Sequence, residues 1–188
     1  MTQIKRLLIA NRGEIARRVM RTASHMGIYT IAIYSDGDAN EPFVNDADEG
    51  WALNGITATE TYLDIDKVLA AAKASGADAI HPGYGFLSEN ASFAQKVIDA
   101  DLIWIGPPPE AISTMGDKLA AKKLMDKAGV PILRSIELED DTELAVAGET
   151  VGFPALVKAA AGGGGKGMRI VNEASELEDA VASAKREA

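Results

Sequence analysis

The chain has 188 residues, of which 47% are hydrophobic and 25% charged, the composition of an ordinary globular protein with a sizeable core. Its 19 basic and 28 acidic residues leave a net charge of −9, which argues against nucleic acid or an anionic membrane as the main partner. Cysteine is absent, so disulfide and thiol chemistry are excluded, and no apolar run is long enough for a membrane span. With no signal peptide legible at the start, Met1 is read as the start of the fold and a cytoplasmic location is expected.

Apolar runs alternate with helical patterns along the first part of the chain. "IKRLLIA" reads as a buried strand, "GEIARRVMRTASHMG" as a helix stopped at Gly27, and "YTIAIYS" as the next strand. "DIDKVLAAAKASG" is a helix with Asp64 as N-cap and Gly76 as stop. "ADAIH" and "LIWIG" are short strands around a helix from Glu89 to about Ala100. This order predicts an α/β fold with a mostly parallel sheet, its strands near residues 4–10, 30–35, 77–81 and 102–105 lying together, with helices on both faces.

The order changes after "GPPPEAI". "GDKLAAKKLMDKAGVP" is a helix closed by Gly129 and Pro131, and another helix lies near "ELAVAGETVG". A strand "FPALVK", a run of four glycines, a strand "MRIV" and a helix from about Ala174 follow. Two strands joined by a glycine loop make a hairpin, not a crossover. The expected domains are 1–113 and 114–188. The stretch after Pro131 is near the lower size limit for a domain, and the last helix has no stop signal, so the second domain is expected to be incomplete.

In "VKAAAGGGGKGM" the glycines can bring backbone N–H groups close to a ligand, and Lys158 and Lys166 add positive charge from both sides. That set suits a polyphosphate; the competing reading is a surface hairpin with two solvated lysines. Walker A and dinucleotide loops are rejected, since both open a helix and here a strand follows. Residues 162–167 are expected to be poorly ordered without nucleotide. "HPGYGFLSEN" is a glycine-rich turn at a strand's carboxyl end, either a ligand loop with the aromatics Tyr84 and Phe86 and bare backbone at Gly85, or a packed turn with a structural His81. Lys118 falls in the first turn of a helix, where a cation opposes the dipole unless an anion binds beside it; a solvated lysine is the alternative. Arg17, Arg18 and Arg21 read as a solvated or interface face, and acidic "NDADE" and "LEDD" as solvated loops.

"ALVKAAAGGGGKGMRIV", "IANRGEIARRVMR", "HPGYGFLSEN" and "MGDK" together, in register over nearly the whole chain, resemble the biotin carboxylases of the ATP-grasp class. The resemblance implies a Rossmann-like parallel sheet, the pre-ATP-grasp domain that holds no dinucleotide, followed by the truncated start of an ATP-grasp domain. It implies ATP at Lys118, Lys158, Gly163, Gly164, Gly165, Lys166 and Gly167, and biotin against Tyr84 and Gly85. Its cofactors would be ATP, biotin and Mg²⁺, with the metal ligands and the catalytic glutamate and arginine expected beyond residue 188, so no catalytic or metal residue is assigned within the chain. Implied partners are a biotin carboxyl carrier domain, a carboxyltransferase and further copies of the complete protein. The other readings are a different ATP-grasp ligase, of carbamoyl-phosphate or purine-pathway type, and a non-catalytic interaction module.

Overall fold

A computed structural model describes residues 3–116, 118–138, 142–158 and 168–187, with the side chains of 118, 119 and 187 outside that description. The chain divides into two compact units, Met1–Leu124 and Met125–Ala188. The first begins β1 (Arg6–Ile9), α1 (Gly13–His25), β2 (Tyr29–Tyr34), α2 (Pro42–Asp46), β3 (Glu49–Ala52) and α3 (Ile65–Ala74). It continues through β4 (Ala79–His81), α4 (Ala91–Asp99), β5 (Ile103–Trp104) and α5 (Pro109–Gly116), and α6 (Lys118–Lys127) carries the chain onward. The second unit holds α7 (Leu144–Val151), β6 (Ala155–Val157), β7 (Arg169–Val171) and α8 (Leu177–Glu187).

All five strands of the first unit are parallel, in the order β3-β2-β1-β4-β5. The four expected strands are there and adjacent. Both faces of a parallel sheet are covered, so its strands are apolar throughout and alternate residues enter different cores. Leu8, Ile31, Ile33 and Ile80 pack with Val68, Ala72, Phe93 and Val97 of α3 and α4. Leu7, Ile9 and Ala32 pack with Ala16, Met20 and Ala23 of α1 and Phe43 of α2. In α1 those three residues lie four and three apart, one stripe of a helix whose outward positions include the exposed Arg17, Arg18 and Arg21. Asp64 caps α3, its carboxylate accepting from the Asp66 and Lys67 N–H groups, both at 3.0 Å. Asn90 caps α4 through the Phe93 N–H at 2.9 Å, and Glu89 belongs to a 3₁₀ turn that precedes this helix.

The reading of "NDADE" as a loop is corrected, though Asn45, Asp46 and Asp48 are exposed as expected. Asp46 ends α2, Glu49 opens β3, and Asp48 stands directly before that strand. Asp48 accepts from the Thr30 N–H at 2.7 Å and the Thr30 hydroxyl at 2.8 Å, and Asp46 pairs with Arg17. The Trp51 indole N–H and then the Arg6 guanidinium, 2.6 Å away, hold the Glu49 carboxyl below the usual range. The carboxylates are engaged because β3 is a sheet edge whose polar groups find partners on β1, β2 and α1. The described part of "LEDD" is Leu138 alone, packed in the core of the second unit; residues 139–141 lie outside the described residues.

In the second unit β6 and β7 pair antiparallel, Ala155 with Val171, Leu156 with Ile170 and Val157 with Arg169. This is the expected hairpin. Val171, Leu177, Ala180 and Val181 form its core, with Leu138, Leu144 and Val157 against them. Among the described residues, no helix is long and apolar enough to cross a membrane.

Candidate functional site

Counting outward from β1, the chain places β2 and β3 on one side and β4 and β5 on the other. The loops after β1 and β4 therefore leave the sheet in opposite directions and open a crevice at the carboxyl ends of the strands, where open α/β sheets receive ligands. Asn11 stands in the first of these loops and residues 82–85 in the second.

Asn11 is fully buried. Its amide nitrogen donates to the carbonyls of Pro82 at 2.8 Å and Tyr84 at 3.0 Å, and its oxygen accepts from the Arg12 N–H at 3.0 Å. The amide thus stitches the two loops together with no polar atom left over. Gly83 turns above it at φ +67°, where a Cβ would stand 2.6 Å from Asn11 Nδ2 and 2.8 Å from Ile15 Cγ2, so only glycine fits. Left-handed backbone recurs at Gly85 (φ +68°) and Phe86 (φ +44°), whose ring stacks on Tyr62 at 5.3 Å. Such a concentration of strained backbone is typical of binding loops. No atom lies within 4 Å of a Cβ built on Gly85, so its backbone faces open space.

Tyr84 is half exposed. Its hydroxyl donates to Glu14 Oε1, and the Arg18 guanidinium lies 5.8 Å from its ring centroid, within cation–π range. The hydrogen bond to Glu14 raises the phenol's pKa above its ordinary value.

His81 accepts the Gly83 N–H on Nδ1 at 2.9 Å, and burial lowers its pKa. The imidazole is a structural brace of the turn, and it must be neutral on Nδ1 to serve. A histidine whose folded pKa lies below the unfolded value contributes stability above about pH 6.5 that is lost as pH falls through the folded pKa. Chemical denaturation at pH 7.5 and 5.5 is therefore expected to show a loss on acidification that is smaller in His81→Gln; an unchanged pH dependence in the variant contradicts this.

Arg12 turns away to Asp38, 3.0 Å distant. Asp38 also accepts from the Ser35 hydroxyl at 3.0 Å and the Tyr62 hydroxyl at 2.5 Å. Burial, then that carboxylate, push the Tyr62 phenol far above its ordinary pKa. This acidic residue after β2 is engaged inward.

The phosphate-loop residues divide differently. Lys158 follows β6 directly and is exposed, at the loop end of the hairpin. On the hairpin's outer face the paired Leu156 and Ile170 are 56% and 71% exposed, with Met168 at 41%, an apolar strip beside the lysine. Lys118 is the first described residue of α6, beside residue 117, which lies outside the described residues, and its own side chain lies outside them too. Gly163, Gly164, Gly165, Lys166 and Gly167 lie outside them too, and with them the expected order of residues 162–167. No group of three or more His, Cys, Asp or Glu that could hold a metal ion occurs among the described residues. Sequence reasoning missed Asn11 and Glu14; the available signal was a polar Asn directly after an apolar strand, where a buried loop needs a donor.

A five-stranded parallel sheet followed by a unit built on an antiparallel hairpin is the architecture of a pre-ATP-grasp domain leading into an ATP-grasp domain. Residues 3–112 match the family model "Biotin carboxylase, N-terminal domain", and residues 117–188 match "Carbamoyl-phosphate synthase L chain, ATP binding domain". The chain belongs to the biotin carboxylase family. It is 51% identical over 187 residues to the mitochondrial methylcrotonoyl-CoA carboxylase subunit alpha of Dictyostelium discoideum, covering 98% of this chain and 27% of that protein. Among solved structures, the biotin carboxylase–β-γ-ATP complex from Campylobacter jejuni superposes with a TM-score of 0.85 at 42% identity, covering 98% of this chain and 42% of that one. The biotin carboxylase domain dimer of Hydrogenobacter thermophilus 2-oxoglutarate carboxylase, with MgADP, ADP and bicarbonate, gives 0.82 at 40% identity, covering 99% of this chain and 42% of that one. The chain thus spans between a quarter and about two fifths of the length of these three proteins.

Proposed function

We propose that this chain supplies the first domain and the phosphate loop of a biotin carboxylase, which uses ATP and bicarbonate to carboxylate N1 of biotin within a biotin-dependent acyl-CoA carboxylase. The observation that carries the reading is the loop stitched to Asn11, which offers an aromatic ring at Tyr84 and bare backbone at Gly85 to the crevice. A flat ureido ring with N–H and C=O groups matches such a surface, since the ring stacks and the backbone hydrogen-bonds.

ATP falls to the stretch from residue 114 onward in this reading. Lys158 and Lys166, with the amides of Gly163, Gly164, Gly165 and Gly167, would cradle the phosphates, and Lys118 would add charge. The apolar strip of Leu156, Met168 and Ile170 suits the purine face. The described residues do not fit a Mg²⁺ site, so no step is assigned through the metal in this chain. Phosphoryl transfer to bicarbonate is mostly positioning and charge neutralisation, and these residues contribute that part.

We assign residues 1–113 to the first domain and 114–188 to the beginning of the ATP-grasp domain. The partners we propose are a biotin carboxyl carrier domain, a carboxyltransferase and further copies of the protein, with a cytoplasmic location. The Dictyostelium relative is mitochondrial by name. Nucleotide binding is tested by thermal unfolding of the 188-residue chain with MgATP. A ligand at a hundred times its Kd stabilises by about 2.7 kcal/mol. Wild type is expected to shift and Lys158→Ala to shift less; equal shifts would remove Lys158 from the site.

A further inference from the structure

No residue of the segment "NRGE" after β1 is assigned a ligand in the function proposed above, yet it makes both contacts that hold the Tyr84 loop. We infer that this turn is the positioning frame of the loop: Asn11 sets its backbone and Glu14 fixes the Tyr84 ring, so both are positioning residues for the ligand that Tyr84 and Gly85 receive. The inference rests on the reading that this ligand is biotin.

The two anchors are of different kinds. Asn11 works from beneath, with an amide buried from solvent that spends both its donor hydrogens on the Pro82 and Tyr84 carbonyls. Its geometry dictates how far the loop stands above β1. Glu14 works at the tip, where its carboxylate accepts from the Tyr84 hydroxyl. A half-exposed phenol without an acceptor would exchange among rotamers. With Glu14 on α1 and Arg18 one turn further along the same helix face, the ring is held before any ligand arrives. Holding a contact surface in its bound arrangement removes an ordering cost from binding. Glu14 and Arg18 are the charged groups acting on the phenol, the carboxylate raising its pKa and the guanidinium lowering it.

Three measurements on the 188-residue chain test this. In protein labelled at tyrosine Cζ, the Tyr84 resonance is identified by its loss in Tyr84→Phe. Its titration midpoint is expected above the ordinary tyrosine value of about 10 and is expected to fall in Glu14→Ala; an unchanged midpoint overturns the tether. Biotin is then titrated in, followed at the Gly85 amide. Glu14→Ala is expected to weaken binding about 3- to 10-fold, the worth of one hydrogen bond, and Glu14→Gln, still an acceptor, to recover most of it. In a Tyr84→Phe background Glu14→Ala should cost nothing further; the same loss there shows that Glu14 does not act through Tyr84 and overturns the proposal. If biotin moves no resonance of the wild type, the biotin assignment fails and the substrate part of the inference with it, while the midpoint comparison still judges the tether. Hydrogen exchange reads the other anchor. Asn11→Ala is expected to lose protection at the Gly83 N–H and neighbouring loop amides while β2 keeps its own; uniform loss across the sheet would make Asn11 a core residue of the fold and not a positioning one.

Discussion

The 188-residue chain by itself is expected to release no phosphate from ATP in the presence of bicarbonate and biotin, and to become active once joined to the remainder of the C. jejuni biotin carboxylase, of which it covers 42%. The reason lies in charge. In phosphoryl transfer the protein positions the phosphates and neutralises the charge on them. Lys158 at the loop end of the hairpin is one neutralising group, but nothing among the described residues gathers the carboxylates that a divalent cation needs. Loss of metal assistance removes several kcal/mol of transition-state stabilisation. In the joined protein Lys158→Ala is expected to lower kcat/KM by about 10²-fold, the scale for deleting one preorganised charge-stabilising group. The measurement is bicarbonate-dependent phosphate release with free biotin, run on both proteins. Turnover by the 188-residue chain near the joined protein's rate would move the chemistry into residues whose roles are otherwise structural.

Gly83→Ala is expected to destabilise the first unit by about 2–4 kcal/mol. Two effects add: overpacking of a tight site, about 1–3 kcal/mol, and the strain of a left-handed alanine, about 1 kcal/mol. The overpacking is specific, because the added methyl would meet Asn11 Nδ2 at 2.6 Å and Asn11 Cγ at 2.9 Å, atoms that cannot withdraw without breaking the bonds to Pro82 and Tyr84. Gly27→Ala provides the comparison. It has a similar φ of +73° at the end of α1 but open space around its Cβ position, so only the strain of about 1 kcal/mol is expected. Urea unfolding of the two variants measures the difference. Equal costs would mean that the clash at Gly83 relaxes freely and that Asn11 does not hold the loop rigidly. Biotin binding should suffer in Gly83→Ala beyond the loss of stability, since displacing Asn11 displaces Tyr84 and Gly85 with it.

Both expectations turn on contacts of different reach in the chain, and the same distinction separates what could be read beforehand from what could not. Four of the five sheet strands, the Asp64 cap, the Gly27 and Gly129 stops and the hairpin around the glycine run were all legible in the sequence. Each is a local matter. A strand buried on both faces has to be apolar along its length, a helix end needs a donor or acceptor within three residues, and a glycine takes up positive φ wherever it stands. The family was legible for a related reason, since its motifs are short stretches whose chemistry depends on neighbouring residues. Tertiary structure alone decided the rest. The edge strand "EGWA" has no apolar run of its own and exists because β2 offers it a partner and Arg6 pairs with Glu49. Asp46 and Asp48 find partners for the same reason, although both stay exposed. The Asn11 amide meets Pro82 across 71 residues and Glu14 meets Tyr84 across 70, and no periodicity or composition carries information about a partner so distant. Those pairings follow from the order in which the strands assemble, which places β4 beside β1 and so brings two loops to one crevice.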